Sequence, residues 1–393
     1  MLKQIEGSRA IAETVANCRP GVICAYPISP QTHIVEALDE LTRNGEIPKA
    51  EFINVESEFS AMSLAIGASA TGVRTYTATA SQGLLFMVEP VYNASGLGLP
   101  IVMTVANRAI GAPINIWNDH SDAMSQRDSG WIQLYANDNQ AAADLHVLAF
   151  RLAEAVSIPV MVCMDGFILT HAMEQVDVPE QGEIQRFLPE FEAFQRLDVD
   201  NPSSIGAMVG PEAFTEVRYL AHKKQLEVLK VLPEISDEFE KVFGRRANGQ
   251  YDYKGLISKY AVDDAETVIV ALGSTLGTLQ DVVDELRPLG HKVGVLGITS
   301  FRPFPSVAVH KALSNAKRVV VLERALAAGI GGIVEADIRM ACSGLEIEQT
   351  TVIAGLGGRP ITRKSLREVF LRAEQDDLPP LTFLDLKEEV LPQ

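Results

Sequence analysis

Short apolar runs rich in β-branched residues recur along this chain, separated by helical stretches. The first group is Gly21–Ile28, Thr75–Ala80, Pro100–Ala106 and Pro159–Met164; after a gap come Thr267–Leu272, Lys292–Ile298, Arg318–Leu322 and Thr351–Ala354. A strand that is apolar throughout is covered on both faces, and alternation with helices assembles such strands into parallel sheets. The two groups predict two α/β domains, over residues 1–170 and 251–393. Residues 171–250 break the pattern. Glu174–Asn201 is rich in Pro, Glu, Gln and Phe without a clear period, and Glu212–Phe243 reads as one long charged helix that stops at Arg245-Arg-Ala-Asn-Gly249. Such a connector either braces a neighbouring element or runs over the surface.

Composition narrows the function classes. At 393 residues the chain is long enough for two cores, and a hydrophobic content of 47% predicts that some apolar surface meets a partner subunit. The formal net charge of −17 argues against nucleic-acid binding, which needs a basic face. No run reaches the ~20 apolar residues that span a bilayer, and Met1–Arg9 lacks a signal-peptide core, so no membrane association and a cytoplasmic location are expected. The four cysteines, Cys18, Cys24, Cys163 and Cys342, form no Cys-x-x-Cys pair. They read as small buried hydrophobes, and neither an iron–sulfur cluster nor a structural zinc is expected on them.

Candidate chemistry gathers where apolar runs end. Ala25-Tyr-Pro-Ile-Ser-Pro-Gln-Thr-His33 closes one strand in two prolines and small hydroxyls. Asn54-Val-Glu-Ser-Glu-Phe-Ser-Ala61 sets Glu56 and Glu58 before a small-residue helix, Ala61–Ala70. Two carboxylates there either serve chemistry or sit at a helix N-terminus in favourable interaction with the dipole. Arg108 follows the strand Pro100–Ala106, at the sheet end where open α/β folds bind ligands. A guanidinium there suits a substrate carboxylate or an acidic residue across an interface. The loop Ile116–Trp131 is too elaborate for a plain connector. Its His120, Asp119 and Asp122 fit either a metal site or, more in keeping with carboxylate-rich loops, a hydrogen-bond network. The glycine turns Ala271–Thr278 and Ala328–Gly332 are read as tight turns in preference to phosphate cradles, since neither completes a nucleotide fingerprint.

Taken together, Tyr26-Pro-Ile-Ser-Pro, Glu56-Ser-Glu58, Thr79-Ala-Ser-Gln-Gly83, Asn107-Arg108-Ala109, Trp117-Asn-Asp-His-Ser-Asp with Arg127-Asp-Ser-Gly-Trp131, Val209-Gly-Pro-Glu212 and Gly355-Leu-Gly-Gly-Arg-Pro-Ile-Thr362 stand in an order and spacing that carry a resemblance. The set resembles the α subunit of the 2-oxoacid:ferredoxin oxidoreductases, in the pyruvate and branched-chain 2-oxoacid branch, over nearly the whole chain. The resemblance implies a pyrimidine-binding domain of thiamine-diphosphate enzymes over 1–170, a connector over 171–250 and a transketolase C-terminal-like domain over 251–393. It implies that Glu58 contacts N1′ of thiamine diphosphate, so that the cofactor's own amino group can deprotonate its thiazolium carbon. It also implies that Arg108 grips the substrate carboxylate. Ser29 stands where the family usually carries a threonine whose hydroxyl meets the same carboxylate; a change of one methyl is worth only about 1–3 kcal/mol of discrimination.

What the chain lacks matters too. A diphosphate and Mg²⁺ holder needs Gly-Asp-Gly with a downstream Asn, and Met164-Asp165-Gly166 matches only in part, reading as a strand end. The resemblance therefore implies a β subunit that holds the Mg²⁺ and diphosphate, γ and ferredoxin-like δ subunits, iron–sulfur clusters on those other subunits, and coenzyme A as co-substrate. The acidic surface does not favour docking acidic ferredoxin directly, which fits electrons leaving through another subunit. Open alternatives are a branched-chain or aryl 2-oxoacid such as phenylglyoxylate, NAD as final acceptor, a non-oxidative thiamine enzyme half, and an assembly subunit without catalytic residues.

Overall fold

The computed structural model describes residues 2–392. The buried runs of the first half form a seven-stranded sheet. From one edge its order is Ser300–Arg302, Ile132–Tyr135, Val160–Asp165, Val102–Asn107, Thr75–Thr79, Val22–Ala25 and Glu51–Asn54. All neighbours are parallel except the first pair. The central strands Thr75–Thr79, Val102–Asn107 and Val160–Asp165 are buried at every position, the physical counterpart of their unbroken apolar runs. Helices Gly7–Asn17, Thr32–Arg43 and Asn139–Val156 pack through one core cluster. Helix Glu58–Ala70 faces a different cluster, to which both halves of the chain contribute.

A second seven-stranded sheet runs Leu381–Phe383, Glu348–Ile353, Arg318–Glu323, Thr267–Ala271, Val293–Ile298, Ile257–Tyr260 and Asp252–Tyr253. Its first five strands are parallel and its last two antiparallel. The architecture is α/β with two parallel-sheet bodies.

Eight strands lie outside the eight apolar runs: Leu2–Glu6, Glu51–Asn54, Ile132–Tyr135, Met173–Asp177, Asp252–Tyr253, Ile257–Tyr260, Ser300–Arg302 and Leu381–Phe383. Most are short edge strands with one wet face, where no continuous apolar signal is required. Ser300–Arg302 crosses from the second half of the chain to pair with Ile132–Tyr135, so the two bodies share a sheet. Met173–Asp177 pairs with Leu2–Glu6, giving structure to a stretch that shows no period in sequence.

The long helix runs Phe214–Phe243. Its C-terminal half buries Val228, Leu232, Ile235 and Phe239 in the same core as helix Asn139–Val156, while its N-terminal half is exposed. Just past its end Arg245 forks onto buried Asp144, with Nε and Nη2 at 2.7 and 2.9 Å from the carboxylate. The helix thus braces the first body at one end and leaves the other end in solvent.

Candidate active site

Sheet geometry sets the site. The C-terminal ends of strands Val22–Ala25, Thr75–Thr79 and Val102–Asn107 leave side by side, and the segments that follow them carry the residues of interest. Strand Glu51–Asn54, next to Val22–Ala25, delivers the chain to helix Glu58–Ala70.

The two glutamates at that helix differ sharply. Ser57 caps the helix by accepting from the Ser60 amide at 3.2 Å. Glu56 is exposed and accepts from the Ser60 hydroxyl at 2.6 Å, which holds its pKa below the usual carboxylate value. Glu58 is only 8% exposed, and no described residue donates a hydrogen bond to its carboxylate. Ser57 thus supplies the hydrogen-bonding cap, while Glu58, at the first helical position, is the acid of the first turn. Glu58 is a buried carboxyl group with unused acceptors, next to a face of small residues that includes Ala61 and Ala65.

Beside Glu58 lies Gly83. A Cβ there would stand 2.7 Å from Glu58 Oε1 and 2.6 Å from Thr79 Oγ1, so only glycine fits this closely against the two side chains. The hydroxyls of Thr77 and Thr79 are buried without a partner. A buried carboxyl to which no described residue donates, near unpartnered hydroxyls, suits a polar ring edge such as that of an aminopyrimidine. Gly83→Ala is expected to displace the Glu58 side chain and lower turnover roughly tenfold, within the ~10²-fold that a 1 Å misplacement produces. Steady-state kinetics of the assembled enzyme, with the oligomer checked by gel filtration, would test this; unchanged turnover would mean that the Gly83–Glu58 contact serves packing alone.

Arg108 is also buried, at 7% exposure. Its Nη1 donates to the Ser29 carbonyl at 2.9 Å and its Nε to the Asn115 carbonyl at 3.1 Å. Both acceptors are neutral, and no carboxylate pairs with the guanidinium among the described residues. Burial pulls its pKa down, with Asp122 acting in the opposite direction. The structure thus brings Ser29 and Arg108 together at one end of the sheet, with Ser29 on the exposed side and Arg108 behind it.

Asp122 links this pair to the Glu58 side. One carboxylate oxygen accepts both the Arg108 amide and the Ser81 amide, each at 2.9 Å, and the other accepts Asn107 Nδ2 at 2.9 Å. Ser81 is held at φ +49°, a left-handed conformation that costs a serine on the order of 1 kcal/mol or more. Its amide bond to Asp122 and its hydroxyl bond to the Ala109 carbonyl offset that strain. Gln31, fully buried, donates to the Tyr26 carbonyl at 3.1 Å and the Ala78 carbonyl at 2.8 Å, pinning the Tyr26–Pro30 segment to the sheet. Neither role is visible in sequence, although the Trp117–Trp131 loop stands out as more than a connector.

His120, Asp119 and Asp122 do not converge. His120 Nε2 lies 2.7 Å from Asp165 Oδ1, Asp119 accepts from the Gly357 amide at 3.1 Å, and Asp122 serves the cluster just described. The loop is a hydrogen-bond network and gives no metal geometry. Asp165 closes its strand and receives Arg324 Nη1 at 2.6 Å and the Ser274 amide at 3.0 Å. Burial raises its pKa, but Arg324 and His120 outweigh that and hold it well below the carboxylate range. This buried ion cluster ties the two sheets together next to the site. Arg324 sits just beyond a buried strand, the same signal that marks Arg108.

The glycine turns are turns. Gly273, at φ +72°, abuts the Asp165 carboxylate, which takes the Ser274 amide. At the other loop, the Glu323 carboxylate accepts from the amides of Ile333, Val334 and Glu335, the donors that a phosphate would need. All four cysteines are buried and free, and burial pushes the Cys18 and Cys24 thiols up to about 12. No helix among the described residues is long and apolar enough to cross a membrane.

Residues 13–237 match the family model of pyruvate flavodoxin/ferredoxin oxidoreductase, thiamine diphosphate binding, and residues 265–366 match that of pyruvate:ferredoxin oxidoreductase core domain II. The chain belongs to the α subunits of the 2-oxoacid:ferredoxin oxidoreductases. It is 46% identical over 396 residues to pyruvate synthase subunit PorA of Methanosarcina barkeri, covering 98% of this chain and 97% of that one. To ketoisovalerate oxidoreductase subunit VorA of Pyrococcus abyssi it is 40% identical over 370 residues, covering 93% and 92%. Among solved structures, a 2-oxoglutarate:ferredoxin oxidoreductase from Magnetococcus marinus superposes with a TM-score of 0.69 at 19% identity, over 96% of this chain and 65% of that chain. A split-gene transketolase superposes with a TM-score of 0.55 at 12% identity, over 95% and 99%. Both likenesses establish the thiamine-enzyme fold of the two bodies.

Proposed function

We propose that this α subunit contributes Glu58, Arg108 and Ser29 to the active site of a 2-oxoacid:acceptor oxidoreductase. The reaction consumes a 2-oxoacid anion and coenzyme A and yields acyl-CoA, CO₂, one proton and two electrons. Pyruvate is the first substrate, supported by the PorA relatives, and the VorA relative keeps a branched-chain 2-oxoacid as the second reading. The observation that carries the proposal is the buried Glu58 carboxyl, to which no described residue donates, packed against Gly83. Bound thiamine diphosphate would supply the nucleophilic carbon. Glu58 holds or releases a proton at the cofactor's N1′, shielded from water. Arg108 and the Ser29 hydroxyl orient the substrate carboxylate, and burial strengthens the guanidinium's grip.

Residues 1–170 form the pyrimidine-binding domain on this reading, 171–250 the connector and 251–393 the transketolase C-terminal-like domain. The diphosphate and Mg²⁺ are held by a β subunit, and the iron–sulfur clusters lie on γ and δ subunits. Supporting a partner at the site, Phe59 and Phe86 lie 6.2 Å apart and exposed beside Glu58, and Ile114, Ile116 and Trp117 are exposed in the loop that follows Arg108.

The test is to purify the complex through this chain and record its visible spectrum before and after adding single 2-oxoacids with coenzyme A. Bleaching of the cluster absorbance by pyruvate would support the proposal, and bleaching only by a branched-chain acid would favour the second reading. A colourless complex would overturn both.

A further inference from the structure

Two of the chain's seven histidines meet outside the site. Glu6, His33 and His171 each present a ligating atom within 4.8 Å of those of the other two. Glu6 ends strand Leu2–Glu6, His33 lies in the first turn of helix Thr32–Arg43, and His171 belongs to the turn that follows strand Val160–Asp165. The two imidazoles stand 4.6 Å apart, centre to centre, and His33 Nδ1 lies 2.7 Å from Glu6 Oε1. His171 Nδ1 lies 2.7 Å from Thr170 Oγ1. An N–H donated there leaves Nε2 with its lone pair free, the tautomer that a metal needs.

The backbone around the three is tightly fixed. Gly7, next to Glu6, donates to the Ala172 carbonyl at 3.0 Å, and Ser8 Oγ donates to the Thr170 carbonyl at 2.7 Å. A Cβ at Gly7 would lie 2.1 Å from the Leu169 carbonyl, so strand end and turn are in close backbone contact. The turn also reaches the candidate active site: a Cβ at Gly166 would lie 2.6 Å from the Pro30 ring, adjacent to Ser29.

We propose that Glu6, His33 and His171 form a divalent transition-metal site of the zinc type that ties the N-terminal strand and the 166–172 turn to the segment carrying Ser29. Two imidazole nitrogens and one carboxylate oxygen are a zinc donor set, whereas Mg²⁺ and Ca²⁺ take oxygen ligands. The three side chains reach the surface, which leaves a fourth position for water. The His33–Glu6 hydrogen bond is exchanged for coordination when the ion enters. The inference is independent of the proposed reaction.

The test uses the full-length chain, stripped with a chelator, re-equilibrated with Zn²⁺ and dialysed, with bound metal counted by plasma mass spectrometry and the unfolding midpoint recorded. One zinc per chain and a raised midpoint are expected, with no response to Mg²⁺. His33→Ala, His171→Ala and Glu6→Gln should each weaken binding at least about tenfold. His222→Ala, at an exposed histidine elsewhere, should bind as the unmodified chain does. Substoichiometric zinc in the unmodified chain, or zinc retained equally by the His33 and His171 variants, would overturn the proposal. If either alanine variant fails to fold, Glu6→Gln decides: unchanged affinity there counts against the site.

Discussion

Replacing Glu58 by glutamine is expected to lower kcat by about 10²–10⁴-fold, the span that a positioned acid–base group supplies. The substitution keeps the side chain's size and shape, so the close contact with Gly83 is preserved. No described residue donates to Glu58, so glutamine loses no protein hydrogen bond. Folding and assembly should therefore survive, and with them KM for the 2-oxoacid, which depends on Arg108 and Ser29. The effect isolates the proton: glutamine can accept or donate a hydrogen bond but cannot exchange a proton with the pyrimidine nitrogen. Acid-dependent reduction of the clusters, in a complex whose subunit ratio matches the unmodified enzyme, is the measurement. Turnover within a few-fold of the unmodified enzyme would leave this chain an assembly subunit and move the acid elsewhere.

From its own segment Glu58 reads equally as a helix-terminus carboxylate, and in sequence only the resemblance singles it out for chemistry. Glu56, two residues earlier, has the same local signature. Only the fold separates them, by turning one toward solvent and Ser60 and the other inward. The interior parallel strands were legible from local pattern: covered on both faces, they must be apolar at each position. Edge strands face no such demand. Ser300–Arg302 carries polar residues because it lies at the rim of a sheet built by the other half of the chain. No local pattern announces such a crossing.

The supports of the site were the least legible part. Asp122 and Gln31 act on backbone groups that their sequence neighbours do not hint at, such as the Ala78 carbonyl, 47 residues from Gln31. Asp165 and Arg324 lie 159 residues apart, and each alone reads as a strand end. A buried carboxylate or guanidinium is costly unless paired. Two unexplained charges at the ends of two buried strands therefore point to each other once the sheets are placed, and not before.

That same argument gives Arg108 its expected phenotype. Asp165 satisfies Arg324, whereas the Arg108 guanidinium has only the carbonyls of Ser29 and Asn115 as acceptors; no carboxylate among the described residues pairs with it directly, and Asp122 favours its charge without an ion pair. A substrate carboxylate supplies one. Removing one member of a buried charged pair costs about 2–5 kcal/mol, so Arg108→Ala should lower kcat/KM for the 2-oxoacid by about 30- to 5,000-fold, chiefly through KM. Arg108→Lys should recover only part of this, because a point charge cannot span two carboxylate oxygens while keeping the bond to the Ser29 carbonyl. The control is chemical: inhibition by a 2-oxoacid analogue should weaken in the alanine variant, while inhibition by its methyl ester should not change. Equal losses for acid and ester would mean that Arg108 shapes the pocket without reading charge. Intact kinetics together with a dissociated complex would assign the guanidinium to an acidic residue across the subunit interface, the other partner that its position allows.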